Sequence, residues 1–378
     1  MFSQPGCLNP SLGMDTAKGR YDRAGNGATR SRIWKENRLG NPSPPMMPGP
    51  APASLVDPQG RTLDYLRLSV TDRCNLRCRY CMPTAGPTPA ARHEIMSLEE
   101  MERLANLFVR CGVRKIRITG GEPLVRRGVV PFMIRLAGLP ARPEVLVTTN
   151  GLALVEHLDE LARGGIRRIN LSLDSLDATT WSRITRRQGH GRVVQAIDAV
   201  VTAGLGLKIN MVVLPGINDH EIPDFVALTR SLPVTVRFIE PMPFAGDGKR
   251  LAKIISGEEI LGRLRGRFEL LPVVQDKAAV DRLFTVPGYR GRVGVISGHS
   301  RTFCAACSRL RIDSRGRLRT CLYGAPGANL LELMRGGGTN EQLVATMRAA
   351  IGARFADGQA AERAHQLVGR ESMADIGG

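Results

Sequence analysis

The stretch RCNLRCRYC, residues 73–81, sets three cysteines at C-x3-C-x2-C and supplies no fourth thiol nearby. Three thiolates satisfy a zinc ion only when another ligand arrives from elsewhere, commonly a histidine, and no histidine lies close to this trio. A four-iron cubane uses the same ligands differently: Cys74, Cys78 and Cys81 cap three irons, and the fourth iron keeps an open position for a small molecule. The basic neighbours Arg73, Arg77 and Arg79 would offset the negative charge of such a cluster. A second trio, Cys304, Cys307 and Cys321, is spaced C-x2-C-x13-C and again stops at three. It reads either as a zinc ribbon missing a ligand or as a second open iron site. Arg309 and Arg311 alternate along the strand expected just after it, so both guanidiniums face one side. Arginine forks in that arrangement suit phosphate and base edges, and a solvated strand face is the bland alternative.

These groups need rigid elements behind them. From Tyr65 onward β-branched runs alternate with amphipathic segments, and strands are expected at 66–70, 115–119, 144–149, 168–174, 207–214 and 235–242. The helical pattern SLEEMERLANLFVRCG opens on a capping box, Ser97 with Glu100. Six strand and helix units in succession imply an α/β fold with a parallel sheet and right-handed crossovers. Being short of eight units, the sheet is expected to form an open, partial (β/α)6 barrel of the TIM type. Ligands of such sheets sit on the loops after the carboxyl ends of the strands. The first trio follows the first strand and GGEP, residues 120–123, follows the second. Thr148 closes the third strand, Ser172 lies within the fourth and Met242 ends the sixth, so the unusual chemistry gathers at one rim.

After about Pro243 the pattern changes. LFTV, RVGVIS, RLRID and GRLRTC suggest short antiparallel strands, with Asp313-Ser314-Arg315-Gly316 as a hairpin turn. The expected organisation is therefore a disordered basic extension at 1–55, a partial barrel at 56–243 and a smaller C-terminal α+β domain at 244–378. That last domain carries the second trio and short helices near Leu330 and over 341–351, and it ends in ADIGG, read as an uncapped, mobile tail.

Composition narrows the setting. Six of the eight cysteines sit in the two clusters, which argues for reduced thiolates in a reducing compartment, the cytoplasm, with mitochondrial import as the alternative. Cys7 lies in the polar extension and Cys111 ends a helical pattern, where a cysteine is usually a small buried hydrophobe. Residues 1–55, rich in Gly, Pro, Ser and Asn, cannot bury enough surface to fold, and Asp15, Asp22 and Glu36 count against a transit peptide. No apolar run of about 18 residues marks a membrane span. The net charge is +18, and only seven basic against four acidic residues occur through Gly60, so most of the excess belongs to the folded part. Such an excess favours a polyanion, either nucleic acid or a highly charged small substrate, or else it is a solvated basic surface. An aromatic content of 4% leaves few stacking platforms for single strands. Lys208 and Arg117, inside otherwise apolar strands, would be costly to bury without an anionic partner. The segment GDGKR at 246–250 is too short for a P-loop, and none of the six histidines falls into a ligand pattern.

Cys74, Cys78 and Cys81 with Tyr80 before the last, followed one strand later by GGEP, resemble the radical S-adenosylmethionine (SAM) enzymes. The further stretches KIRITGGEPLVRR, TTNG, INLSLDSLD, RFIEPM, FCAACSRLRIDSRGRLRTCL and the terminal GG are similar to the GTP 3′,8-cyclase family of molybdenum cofactor biosynthesis, from about Leu63 to Gly378. The resemblance implies two 4Fe-4S clusters, one on Cys74, Cys78 and Cys81 and one on Cys304, Cys307 and Cys321. It also implies SAM contacts from Tyr80, Gly121, Ser172 and Met242, with Arg237 a further candidate, and GTP contacts from Arg67, Arg117, Thr148, Lys208, Arg309 and Arg311. In the family a 5′-deoxyadenosyl radical removes hydrogen from C3′ of GTP and the ring closes onto C8. The implied partners are GTP, a one-electron donor such as flavodoxin or ferredoxin, a downstream cyclic pyranopterin monophosphate synthase and a second copy of the chain, with neither membrane nor nucleic acid. Two readings compete. A radical enzyme acting on peptides usually carries more C-terminal cysteines, and a zinc-stabilised nucleic-acid-binding protein would carry zinc in place of iron.

Overall fold

Runs such as KIRIT and EVLVTT, rich in β-branched residues, become strands that bury Ile116, Ile118, Val145 and Val147 in the core on one face and turn Arg117 and Thr148 to a cavity on the other. In the computed structural model residues 54–83, 89–242, 244, 254–300, 302–365 and 372–377 are described. The extension up to residue 53, the segment 246–250 and Gly378 lie outside the described residues. The elements of the first half alternate as β1 (Tyr65–Ser69), α1 (Leu98–Arg110), β2 (Lys115–Thr119), α2 (Val129–Ala137), β3 (Glu144–Thr149), α3 (Leu154–Arg163) and β4 (Arg168–Ser172). They continue as α4 (Ala178–Thr185), α5 (His190–Thr202), β5 (Gly206–Val212), α6 (Ile222–Ser231) and β6 (Thr235–Ile239). Beyond these come α7 (Gly257–Arg265), β7 (Leu271–Pro272), β8 (Arg282–Thr285), β9 (Arg292–Ile296), β10 (Arg309–Ile312) and β11 (Leu318–Arg319). The last helices among the described residues are α8 (Leu330–Arg335), α9 (Asn340–Gly352), α10 (Gly358–His365) and α11 (Met373–Ile376).

β1 to β6 pair in sequence order and all in parallel, the six units that the alternation predicts. Ser97 and Glu100 form the expected capping box at the start of α1, whose Met101, Leu104, Ala105 and Phe108 present one buried face to the sheet. Cys111 caps the same helix and is fully buried.

The C-terminal segments do not build a separate sheet. LFTV and GRLRTC give antiparallel β8 and β11, but RVGVIS and RLRID become β9 and β10, which extend the parallel sheet. The strand order is β11-β10-β1-β2-β3-β4-β5-β6-β9-β8-β7. An open parallel sheet leaves unpaired backbone groups along β1 and β6, and β10 and β9 satisfy them.

The end of the chain also departs from expectation. ADIGG is neither uncapped nor loose as far as Gly377: Ser372 and Asp375 form a capping box on α11, and Ala374 and Ile376 are buried. Gly377 has φ 88°, and its carbonyl accepts a 2.9 Å hydrogen bond from Thr119 Oγ1 at the end of β2. A Cβ on Gly377 would stand 2.7 Å from the Ser69 Cβ, so backbone conformation and space both demand glycine.

Candidate active site

The first cysteine loop leaves the end of β1 and is bolted to its neighbours through its backbone. Gly121 N donates to the Thr71 carbonyl at 2.7 Å and Glu122 N to the Arg73 carbonyl at 2.8 Å. On the other side Arg77 N and Arg79 N donate to the Thr185 and Ile184 carbonyls at the end of α4, where Arg186 caps the helix in a left-handed conformation, φ 57°. Arg77 turns its guanidinium onto the Cys74 and Leu76 carbonyls at 2.6 and 2.8 Å. A Cβ on Gly121 would lie 2.3 Å from the Arg73 carbonyl oxygen. That glycine therefore admits the cysteine loop itself, besides lining the cavity where sequence reasoning placed it for a ligand.

Glu122 of GGEP is buried and accepts from Thr149 Oγ1 (2.7 Å), Leu124 N (3.1 Å) and Asn150 N (2.6 Å). Through Asn150 the tie reaches the first trio: Asn150 Nδ2 donates to Asn75 Oδ1 at 2.7 Å and lies 3.9 Å from the Cys74 sulfur. Tyr80 donates to Asp174 at 2.8 Å, and Asp174 also accepts from Val212 N at 3.0 Å. Burial raises the Asp174 carboxyl to about 6 and the Glu122 carboxyl to about 7. A buried carboxyl with a raised pKa holds its proton more tightly when folded than when unfolded. Its stabilising share is complete below the unfolded pKa near 4.5 and is lost as pH climbs through about 7. Thermal melts of Glu122→Gln from pH 5 to 8 are therefore expected to fall less steeply than those of the wild type. The difference should amount to about 1–3 kcal/mol, and parallel curves would contradict it.

The cysteines of the first trio are half-buried beside one another. Burial pushes Cys74 up to about 11 and Cys81 to about 12, and holds Cys78 well above the usual thiol value, with the charges of neighbouring cysteines and of Glu122 or Asp174 adding to it. As thiolates they need a strongly positive partner, which the irons of a cluster supply. Among the described residues no three His, Cys, Asp or Glu side chains are arranged to hold a single metal ion.

Facing this loop across the cavity stands a row of arginines. β10, β1 and β2 place Arg311, Arg67 and Arg117 in one register, and Arg319 of β11 continues the row. Side chains in register on neighbouring strands share a face. Burial, with repulsion from Arg311 added, lowers Arg67 well below the usual guanidinium value. Burial, with Arg309 beside it, lowers Arg311 to about 10. Arg67 Nε, Arg309 Nη2 and Arg311 Nη1 are buried and meet no hydrogen-bond acceptor among the described residues. Arg117 donates to the Tyr65 hydroxyl and, at 3.3 Å, to Thr148 Oγ1. Arg237 donates to Asn210 at 2.9 Å, and burial lowers it to about 10. Like charges with orphaned donors form a costly arrangement in an otherwise apolar interior, and a polyphosphate would relieve it.

The second trio meets this row from the other side. Arg309 Nε donates to the Cys307 sulfur at 3.4 Å, and its guanidinium stacks over Phe303 at 5.0 Å. Burial raises the Cys307 thiol, but Arg309 and Arg354 outweigh it and bring the group down to about 7. Tyr323 stacks on Phe244 and donates to the Gly298 carbonyl, joining Ile376 of α11 in a small apolar cluster beside Cys321.

One cavity collects both trios, Tyr80, Gly121, Ser172, Met242, Arg67, Arg117, Thr148, Arg237, Arg309 and Arg311. Ser172 ends β4, and Met242 lies three residues beyond β6. Lys208 is not brought to its wall: on β5 it shares a face with Asn210 but sits two residues, about 7 Å, further from the rim. Sequence reasoning missed Asn75, Asn150, Asp174 and Phe303. The first three could have been found as polar residues in the loops after β1, β3 and β4.

Residues 68–229 match the family model described as Radical SAM superfamily, and residues 234–359 that described as Molybdenum Cofactor Synthesis C. The fold is similar to that of Streptococcus suis SuiB bound to S-adenosylmethionine, with a TM-score of 0.52 at 16% identity over 76% of this chain and 68% of that one. Fold and site together define a radical SAM enzyme. The chain is 43% identical over 330 residues to GTP 3′,8-cyclase of Geobacter sulfurreducens, covering 86% of this chain and 99% of that one. It is 41% identical over 305 residues to Molybdenum cofactor biosynthesis protein 1 of Bos taurus, covering 80% of this chain but 48% of the relative, about half its length. The chain belongs to the GTP 3′,8-cyclase family of molybdenum cofactor biosynthesis.

Proposed function

We propose that the chain converts GTP to (8S)-3′,8-cyclo-7,8-dihydroguanosine 5′-triphosphate, the first step of molybdenum cofactor biosynthesis. A 4Fe-4S cluster on Cys74, Cys78 and Cys81 together with SAM would supply a 5′-deoxyadenosyl radical there. A second cluster on Cys304, Cys307 and Cys321 would face the purine. Residues 56–243 then form the radical half and 244–378 the half that completes the GTP site.

The observation that carries this reading is the register of Arg311, Arg67 and Arg117 across three adjacent strands, with buried donors left open on Arg67, Arg309 and Arg311. A triphosphate offers enough acceptor oxygens for these groups, and Arg309, bonded to Cys307, links them to the second trio. Tyr80 and Asp174 brace the loop of the first trio, while GGEP, Ser172 and Met242 line the wall beside it. Gly377 is tied to Thr119, which lines the cavity at the end of β2. The protein's share of the chemistry is orientation and exclusion of water. Because these arginines lie inside a cavity, they would not reach a nucleic-acid backbone, which removes the support that net charge lent to a polymer-binding protein. SAM cleavage consumes an electron, so a one-electron carrier such as a flavodoxin or ferredoxin is required. The product would pass to a cyclic pyranopterin monophosphate synthase, and free thiols in both trios suit the cytoplasm.

The test is an anaerobic incubation of the full chain with GTP, SAM and a chemical reductant, followed by mass analysis. A product isomeric with GTP, formed one for one with 5′-deoxyadenosine, is expected. Formation of 5′-deoxyadenosine with GTP left intact would refute the proposed substrate.

A further inference from the structure

Asp57, Arg61 and Arg354 form a buried ionic group that lines no part of the cavity. The Asp57 carboxylate takes Arg61 Nε at 2.6 Å and Arg354 Nη1 at 2.9 Å, and its other oxygen accepts from Gln59 N and Arg61 N. The side chains of Asp57 and Arg354 are 0% and 3% exposed. Arg61 reaches further. Its Nη1 donates to the carbonyl of Cys304 at 2.9 Å and to that of Ala356 at 2.7 Å, and its Nη2 to that of Phe355 at 3.1 Å.

Two cations against one anion leave a buried excess of positive charge, which is expensive unless another negative group faces it. The loop of the second cysteine trio, which would carry negative charge with a cluster bound, adjoins it: Asp57 Oδ2 joins Arg354 to Arg61, and Arg61 Nη1 holds the Cys304 carbonyl. The turn that presents Asp57 is itself fixed, with Val56 bridged to Thr62 and Leu63 N bonded to the Leu55 carbonyl at 2.8 Å. A hairpin at the start of the folded chain thus grips the loop that carries Cys304, while the segment after α9 supplies the cation.

We infer that Asp57, Arg61 and Arg354 are positioning residues of the second cysteine trio: Arg61 fixes the Cys304 backbone, and Arg354, oriented by Asp57, holds a permanent cation beside the loop that carries the trio. The inference rests on the two-cluster reading given above. A fixed cation stabilises the more negative, reduced state of an iron–sulfur centre, so its removal makes that centre harder to reduce. The arrangement also separates two tasks. Arg309 lines the cavity and is available to the substrate, whereas Arg354 lines no part of it.

The experiment is a redox titration of the full chain, purified without oxygen and followed by electron paramagnetic resonance in the absence of GTP. In Arg354→Gln the second centre is expected to shift to more negative potential while the first stays in place, and Arg354→Lys should remain near the wild type. Asp57→Asn should lose iron from the second site on gel filtration while retaining SAM cleavage, which reports an intact barrel. A purely structural role is indicated, and the inference overturned, if the Gln and Lys variants shift alike or if Arg354→Gln and Asp57→Asn leave the second centre unchanged. If Arg354→Gln does not accumulate as folded protein, the Lys variant and Asp57→Asn decide by the same criteria. A wild-type chain that binds iron for only one centre overturns the two-cluster reading and this inference with it, and that result is seen before any variant is made.

Discussion

Replacing Cys78 by serine is expected to abolish reductive cleavage of SAM, with 5′-deoxyadenosine falling below detection. A serine hydroxyl is a hard ligand that does not ionise near neutral pH, so an iron loses its thiolate and the cluster loses the geometry that leaves another iron open. The effect should be selective. Cys78 lies in a loop whose backbone is held by GGEP and by the end of α4, and those bonds involve other residues. The variant should therefore melt like the wild type while carrying about half of its iron, on the reading that both trios hold four-iron clusters. Cys307→Ser is the contrast: cleavage of SAM should persist, uncoupled, while GTP is no longer converted. Retained cyclisation in Cys307→Ser would break the assignment of the second trio, and retained cleavage in Cys78→Ser would break that of the first.

The second large effect has opposite signs for stability and activity. Arg67 stands half-buried between Arg311 and Arg117, and its buried Nε meets no acceptor among the described residues, so without substrate it is a liability. Arg67→Met keeps much of the volume and removes both the like-charge repulsion and the orphaned donor. The ligand-free chain should gain about 1–3 kcal/mol and melt several degrees higher. GTP conversion should fall about 10²- to 10⁴-fold, since two charge-assisted hydrogen bonds at about 1.5–3 kcal/mol each are lost. Saturating GTP should then raise the melting temperature of the wild type but hardly that of the variant. If Arg67→Met instead destabilises the ligand-free chain, the row is held together by protein contacts and not by waiting for an anion.

Much of the barrel was legible because its signals are local. Alternation of β-branched runs with amphipathic segments gave the six parallel strands, and their polar terminal residues gave the rim. The cysteine trios were legible by spacing alone. What escaped depends on partners far away in the chain. Nothing in RLRID tells that it pairs with β1, since a short strand next to a turn fits an antiparallel hairpin equally well. Lys208 looked equivalent to Arg117 in its strand, yet Arg117 lines the cavity and Lys208 does not. The tail ADIGG was misread because its capping serine, Ser372, lies just upstream and its anchor, Thr119, lies in another strand. The ionic group of Asp57, Arg61 and Arg354 joins the two ends of the folded chain, a distance no local pattern reports.

The placement of β10 against β1 carries a cost during synthesis. β1 is made early, but its outer neighbour emerges only when Arg309–Ile312 leaves the ribosome, and β6 likewise waits for β9. Until then the nascent barrel has two adhesive borders, and the final pairing has high contact order, which slows closure. A growing chain in that condition is the natural client of a chaperone, and overexpression should fail first through aggregation of these incomplete forms.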